Sequence, residues 1–288
     1  INEQGKIKVH QNLKTDSELL FDIIFPFLEN VVICVECMFS WYWIADFCAE
    51  HKIPFVLGHA LYMKAVHGDK TKNDKIDSYK LAKLMRGGNL PIAYPYPAKM
   101  RATRDLLRRR TYMVRQSGIL VAHIQNTNTQ YNLPAFNKKL SRKFNHDGVA
   151  ERFEDPSVRA AVEADLAMVE AFNKLQKPLE WQIEKIVCQQ DPNNFYLLKT
   201  IPGVGQILAL VILYEVYDIN RFNSVQRFCS YSQLIHPEKG SNHPKPSGSE
   251  KNHLCPAHAP KPYVLSDVIF PRTSLYGRHN TSSQRYSF

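Results

Sequence analysis

Val31–Glu36, read as VVICVE, is the stretch that decides the fold. A continuous β-branched apolar run ending on an acid suits a strand covered on both faces, and therefore a parallel sheet flanked by helices. The chain on either side agrees. Phe39–His51, FSWYWIADFCAEH, reads as a helix, and Ile53–Leu57, IPFVL, as the next buried strand. Strand, helix, strand is the α/β pattern, in which ligands gather beyond the carboxyl ends of the strands, where Glu36 stands. Upstream, Gly5–Leu13, GKIKVHQNL, alternates apolar and polar residues as a half-exposed strand does, and Asp16–Leu28 follows as a short amphipathic helix.

Downstream lies Lys70–Gly88, KTKNDKIDSYKLAKLMRGG. The polar loop Gly68–Asn73 leads into a helix that Gly87 and Gly88 should stop. Asp74, Asp77, Leu81 and Leu84 recur at three- or four-residue spacing, so they share one face, and the aspartates are expected to continue its inward apolar stripe. Two readings are open. Acids in a first turn are stabilised by the helix dipole and cap free amides. Alternatively, a hard cation such as Mg²⁺ or Mn²⁺ draws carboxylates from separate elements. Glu36 reads either as a strand-end side chain turned to water or as the third carboxylate of such a set. Three acids from two neighbouring βα units favour the metal site, with Glu36, Asp74 and Asp77 as ligands.

Composition narrows the partners. The 288 residues are 44% hydrophobic and 22% charged, as in a soluble globular protein. Thirty-seven Lys and Arg against 27 Asp and Glu leave a net charge of +10, which suits a polyanion. Nucleic acid stands ahead of membrane, because no basic amphipathic helix or bilayer-length apolar run is present. The chain opens on Ile1 without a signal peptide, so an incomplete N-terminus is expected. Cys34-Val-Glu-Cys37 has no second pair and sits in an apolar run, so buried free thiols are expected rather than zinc ligands or a disulfide. Nothing calls for an oxidising compartment, and a cytoplasmic location fits.

Lys99–Arg115, KMRATRDLLRRRTYMVR, carries seven Lys and Arg against the single acid Asp105, in a long helix running to about Asn126. Such a run is a solvated face or a phosphate contact, and the mutual repulsion of so many cations brings the second reading level with the first. Lys70, Arg101, Arg104, Arg108, Arg109, Arg110 and Arg115 are the candidate nucleic-acid contacts. Asn137–His146, NKKLSRKFNH, is a second basic patch in a loop or helix end. Pro156–Cys188 has the apolar spacing of a long helix packed on the preceding one as a hairpin or coiled coil, with Pro178 expected to kink or split it. Phe195–Tyr217 reads as two helices joined by Ile201-Pro-Gly-Val-Gly205, similar to a helix-hairpin-helix. Gly203 and Gly205 there let backbone N–H groups approach a phosphate, or simply permit a tight turn. Arg221–Leu234 reads as a further helix. Ser241–Phe288 is rich in Pro, Ser, His and Lys and reads as a disordered or non-native tail, in which His253, Cys255 and His258 form only an irregular zinc pattern.

Taken together, Glu36 after VVICV, the K-T-x-x-D-x-x-D segment of Lys70, Thr71, Asp74 and Asp77, and IPGVG followed by RF…YSQL resemble the DEDD transposases of bacterial insertion sequences. The group is the "IS one-ten" family, with its relatives the Piv-type DNA invertases, and the similarity covers roughly Gly5 to Ser241.

The resemblance implies an α/β RuvC-like (ribonuclease H-like) domain over residues 1–98 and a long helical, coiled-coil-like segment over 99–192. A small, mainly helical domain with the helix-hairpin-helix-like motif would follow over 193–240, and a divergent tail over 241–288. It implies four acids on a divalent metal, with Glu36, Asp74 and Asp77 as the second, third and fourth, and a nucleophilic serine that matches Ser241 by position, with Ser247 as the alternative. It also implies DNA as substrate, a structured guide RNA, a homo-oligomer and no membrane. The family's first Asp belongs to a strand ahead of Gly5, and the residues after Ser241 depart from the family pattern, so impaired or absent catalysis is expected. A nucleic-acid-binding remnant that does not cut, and a metal-dependent junction nuclease that uses no serine, are the alternatives.

Overall fold

The computed structural model describes residues 1–38, 40–59, 74–232 and 234. They fall into two compact units, Ile1–Arg101 and Ala102–Phe288.

In the first unit helix α1, Ser17–Ile24, starts where the Asp16 carboxylate accepts from the amides of Glu18 and Leu19. It passes through a 3₁₀ turn, Phe25–Phe27, toward strand β1, Ile33–Glu36. Helix α2, Trp41–Glu50, then leads to strand β2, Phe55–Gly58. The two strands are parallel, with Ile33 opposite Phe55 and Glu36 opposite Gly58. Pro91–Ala93 lines the other edge of β2: the Ala93 amide donates to the Leu57 carbonyl at 2.7 Å and the His59 amide to the Pro91 carbonyl at 2.7 Å. Helix α2 is apolar on two sides and serves two small cores. Trp41 and Ala45 join Leu57, Ala93 and Tyr96 in one, while Phe47 and Cys48 join Ile24 and Ile53 in the other. Helix α3, Asp74–Arg86, packs against β1. It is stopped where Gly88 takes φ +68°, a left-handed conformation that costs glycine little.

Gly5–Leu13 forms no strand. Ile7, Val9 and Leu13 are exposed, and among the described residues the sheet has two strands. Alternation supplies one face of a strand but not the neighbouring ladder that its backbone needs. This segment instead lies along α3, where Arg86 Nη1 donates to the Glu3 carbonyl at 3.1 Å and His10 Nε2 sits 3.0 Å from the Lys75 carbonyl.

Helix α4, Ala98–Gln130, supplies the second unit from Ala102 onward, and helix α5, Pro156–Gln190, pairs with it. Arg110 meets Glu180 and His123 meets Asp165, each at 2.6 Å, so advancing along α4 retreats along α5 and the pair is antiparallel. Ile124, Val162 and Leu166 fill the seam, together with Leu140, Val149 and Phe153 from the connecting loop. Of the kink or split expected at Pro178, the split does not occur: helix α5 runs through it without a break. A proline removes one backbone hydrogen bond, and the turns on either side are held by the fully buried Val169 and Ile183. Helix α6, Pro192–Lys199, and helix α7, Gln206–Val211, follow, the latter continuing into a π-helical turn, Ile212–Val216. Where one helix was expected from Arg221, a 3₁₀ turn Ile219–Arg221 precedes a shorter helix α8, Val225–Tyr231, whose start is set by the Ser224 hydroxyl accepting from the Arg227 amide. No helix among the described residues is long and apolar enough to cross a membrane.

Leu57 is 1% exposed and Ile92, four residues past Gly88, is 72% exposed. Leu57→Ala is expected to destabilise the protein by about 2–5 kcal/mol in urea unfolding, and Ile92→Ala by less than about 0.5 kcal/mol.

Candidate functional site

Glu36 is the last residue of β1, half-buried, and its strand partner is Gly58. The ladder extends one residue further, since the Cys37 amide donates to the Gly58 carbonyl at 2.8 Å. His59 stands just past the end of β2, and burial lowers its imidazole pKa, which keeps the ring neutral at pH 7. Sequence reasoning passed over His59; its position one residue beyond the second strand was the available signal. Asp74 and Asp77 open α3, as expected, but their side chains are exposed, while Leu81 and Leu84 are half-buried. The helix rolls its later, apolar turns inward and leaves its first turn in water, where the dipole already stabilises carboxylates and no hydration is lost.

Among the described residues no three His, Cys, Asp or Glu side chains come together closely enough to hold a metal ion. Glu36, Asp74 and Asp77 thus lie on neighbouring elements without converging, and as arranged they do not fit a divalent cation. Lys70, Thr71, Ser241, Ser247, His253, Cys255 and His258 lie outside the described residues. Among the described residues Cys34 and Cys37 form no disulfide, as expected. Burial pushes the Cys34 thiol up to about 11, whereas Cys37, expected to be buried, is exposed because it lies past the strand end.

The basic helix divides into two sets. Arg101 is buried: its Nε donates to the Tyr96 carbonyl at 2.8 Å, its Nη1 to Asp46 Oδ1 at 2.7 Å, and its guanidinium lies 4.7 Å from the Trp41 ring centre. Arg104 and Arg108 both grip Glu215, at 2.8 and 2.7 Å, and the glutamate side chain is 4% exposed. The Glu215 carbonyl accepts in addition from Arg221 Nη2 at 3.0 Å and from the Tyr231 hydroxyl at 2.9 Å. Arg110 pairs with Glu180 at 2.6 Å. Four of the arginines expected on phosphate are therefore committed within the protein. Carboxylates distant in sequence relieve a repulsion that looks uncompensated along the helix itself. Lys99, Arg109 and Arg115 are exposed.

The α6–α7 connection is a tight turn. The Val204 amide donates to the Ile201 carbonyl at 3.0 Å, and Gly203 takes φ +86°, where a side chain would be strained. Gly205 caps α7 in an extended conformation, and beyond the adjoining residues no atom lies within 4 Å of where a Cβ would stand at either glycine, so the backbone there is open to an approaching group.

Replacing Glu215 by Ala leaves two largely buried guanidiniums facing each other. The expected loss is about 3–5 kcal/mol in urea unfolding, against less than about 0.5 kcal/mol for Arg109→Ala.

A family model described as "Transposase" matches residues 1–132, and one described as "Transposase IS116/IS110/IS902 family" matches residues 196–251. The protein named "Putative transposase y4qE" from Sinorhizobium fredii is 26% identical over 178 residues, which are 60% of this chain and 42% of that protein. The chain thus spans less than half the length of that relative. The first match runs over the two-stranded sheet, α3 and α4, and the second over α7 and α8 and on past Ser241. Both matches are to transposases, they stand in order on one polypeptide, and the C-terminal one is to the IS116/IS110/IS902 family.

Proposed function

We propose that this protein is a DNA transposase, a site-specific recombinase that cuts and rejoins DNA strands through a serine nucleophile, Ser241. The observation that carries the reading is the order of the two transposase matches, the second of which contains Ser241. In the proposed step the serine Oγ bonds to a backbone phosphorus while the bond from phosphorus to one deoxyribose oxygen breaks. That oxygen leaves as a hydroxyl, taking up a proton as the serine gives one up. The phosphoserine ester conserves the bond energy, so a hydroxyl on a second strand can displace the serine and join the strands. The exposed Lys99, Arg109 and Arg115 hold DNA by its backbone, which positions it without reading its sequence. The open backbone at Gly203 and Gly205 offers a further phosphate contact. Sequence choice then falls to base pairing with a structured guide RNA, and joining two DNA ends calls for more than one copy of the chain.

The family's divalent ion, Mg²⁺ or Mn²⁺, would supply polarisation of the phosphate. Glu36, Asp74 and Asp77 are the residues this reading assigns to it. The exposed aspartates do not form the set as arranged among the described residues. That same arrangement favours the second reading, a DNA- or RNA-binding remnant that no longer cuts.

The test is a labelled duplex carrying the DNA that flanks the protein's own gene, incubated with the full chain and Mg²⁺. A protein–DNA adduct that survives denaturation, maps to phosphoserine at Ser241 and disappears in Ser241→Ala is expected. Cleavage without an adduct would overturn the serine in favour of a junction nuclease. Binding that weakens steeply with salt, with neither cleavage nor adduct, would leave the remnant.

A further inference from the structure

The second basic patch plays no part in the mechanism above, yet its loop is anchored and hydrogen-bonded in place. Leu140, 1% exposed, anchors Asn137–His146 in the core between α4 and α5. Hydrogen bonds from within the loop and from α5 fix its backbone. The Arg142 amide and Asn145 Nδ2 donate to the Lys139 carbonyl at 3.2 and 2.8 Å. Asn173 Nδ2, from α5, donates to the Ser141 carbonyl at 2.9 Å, and His146 Nε2 meets the Leu140 carbonyl at 2.8 Å. A loop ordered in advance costs little to hold against a ligand.

What the loop displays is cationic and aromatic. Lys138, Lys139, Arg142 and Lys143 are exposed, and the stretch contains no acid. Phe144 is 70% exposed, and the Arg142 guanidinium lies 5.8 Å from its ring centre. The acid nearest in contact, Glu170 on α5, is shared between Lys143 at 2.6 Å and Lys174 at 2.9 Å. Those two ammonium groups hold its carboxyl down to about 2, so it stays ionised and is offset by two cations. A bare ring beside a guanidinium, set among lysines, suits a partner with flat π faces and regularly spaced negative charge. Paired bases are stacked inside a duplex and cannot reach such a ring, whereas unpaired ones can.

We infer that the Asn137–His146 loop is a docking site for an unpaired nucleic-acid strand, with one base stacked on Phe144 and the backbone phosphates on Lys138, Lys139 and Arg142. The inference rests on the reading of the protein as a nucleic-acid enzyme and adds a second contact surface to it. RNA and displaced single-stranded DNA share the required chemistry.

The experiment is fluorescence anisotropy on the full-length chain with labelled twelve-nucleotide oligouridine, oligothymidine and a blunt duplex. Phe144→Ala is expected to weaken single-strand binding about fivefold or more, with Phe144→Trp restoring it and duplex affinity changing by less than about twofold. Arg142→Gln should lower the slope of log affinity against log salt for single strands by about 0.7. Loss confined to oligouridine identifies RNA as the strand, and loss confined to oligothymidine identifies DNA; either supports the site. An unchanged single-strand affinity in Phe144→Ala, or an equal loss on the duplex, overturns it. If the unaltered chain binds none of the three, it is the proposed function that fails. The exposed position of Phe144 keeps folding out of the comparison, and an unchanged melting temperature verifies that.

Discussion

One buried carboxylate organises the second unit. Glu215 lies in a π-helical turn with its side chain 4% exposed, and it draws Arg104 and Arg108 of α4 onto itself. Its carbonyl is taken by Arg221 and Tyr231, so the 3₁₀ turn and α8 close over the same residue. Removing an ionised carboxylate from water is costly, and the cost is offset only where geometry and further hydrogen bonds are complete. Two guanidiniums meet that condition here. The ion pairs therefore fix where the C-terminal helices stand against α4 more than they add to net stability.

This constraint also sorts the charges of the basic helix. Its arginines recur so often that several must face inward, and each inward one meets an acid from elsewhere in the chain: Asp46 for Arg101, Glu215 for Arg104 and Arg108, Glu180 for Arg110. Lys99, Arg109 and Arg115 are exposed, and it is the proposed function that sets them against a phosphate backbone. A helix that looks in sequence like one continuous run of charge is in the fold a brace on one side and a row of exposed basic residues on the other.

How much of this could be read in the sequence follows from the range of each interaction. The strands Ile33–Glu36 and Phe55–Gly58, the helix between them, the Asp74 helix with its glycine stop and the two long helices all rest on local periodicity and turn chemistry. Each was legible. Gly5–Leu13 misled because alternation describes a strand's faces and says nothing of the ladder beside it. Asp74 and Asp77 share a helical face with Leu81 and Leu84, but a helix can tilt so that its first turn stays in water while its later turns are covered. The arginine pairs were illegible because Glu180 and Glu215 lie 70 and 107 or more residues away from their partners. The loop at Phe144 showed its charge in sequence, but not that its backbone is fixed from α5.

The most direct measurement is the salt dependence of duplex DNA affinity for the unaltered protein and for the Arg109→Gln/Arg115→Gln double variant. If the outward face of α4 carries the phosphate contacts, the slope of log affinity against log salt falls by about 1.8, because two backbone contacts are lost. A slope that stays the same would contradict the division of the helix into an inward brace and an outward grip.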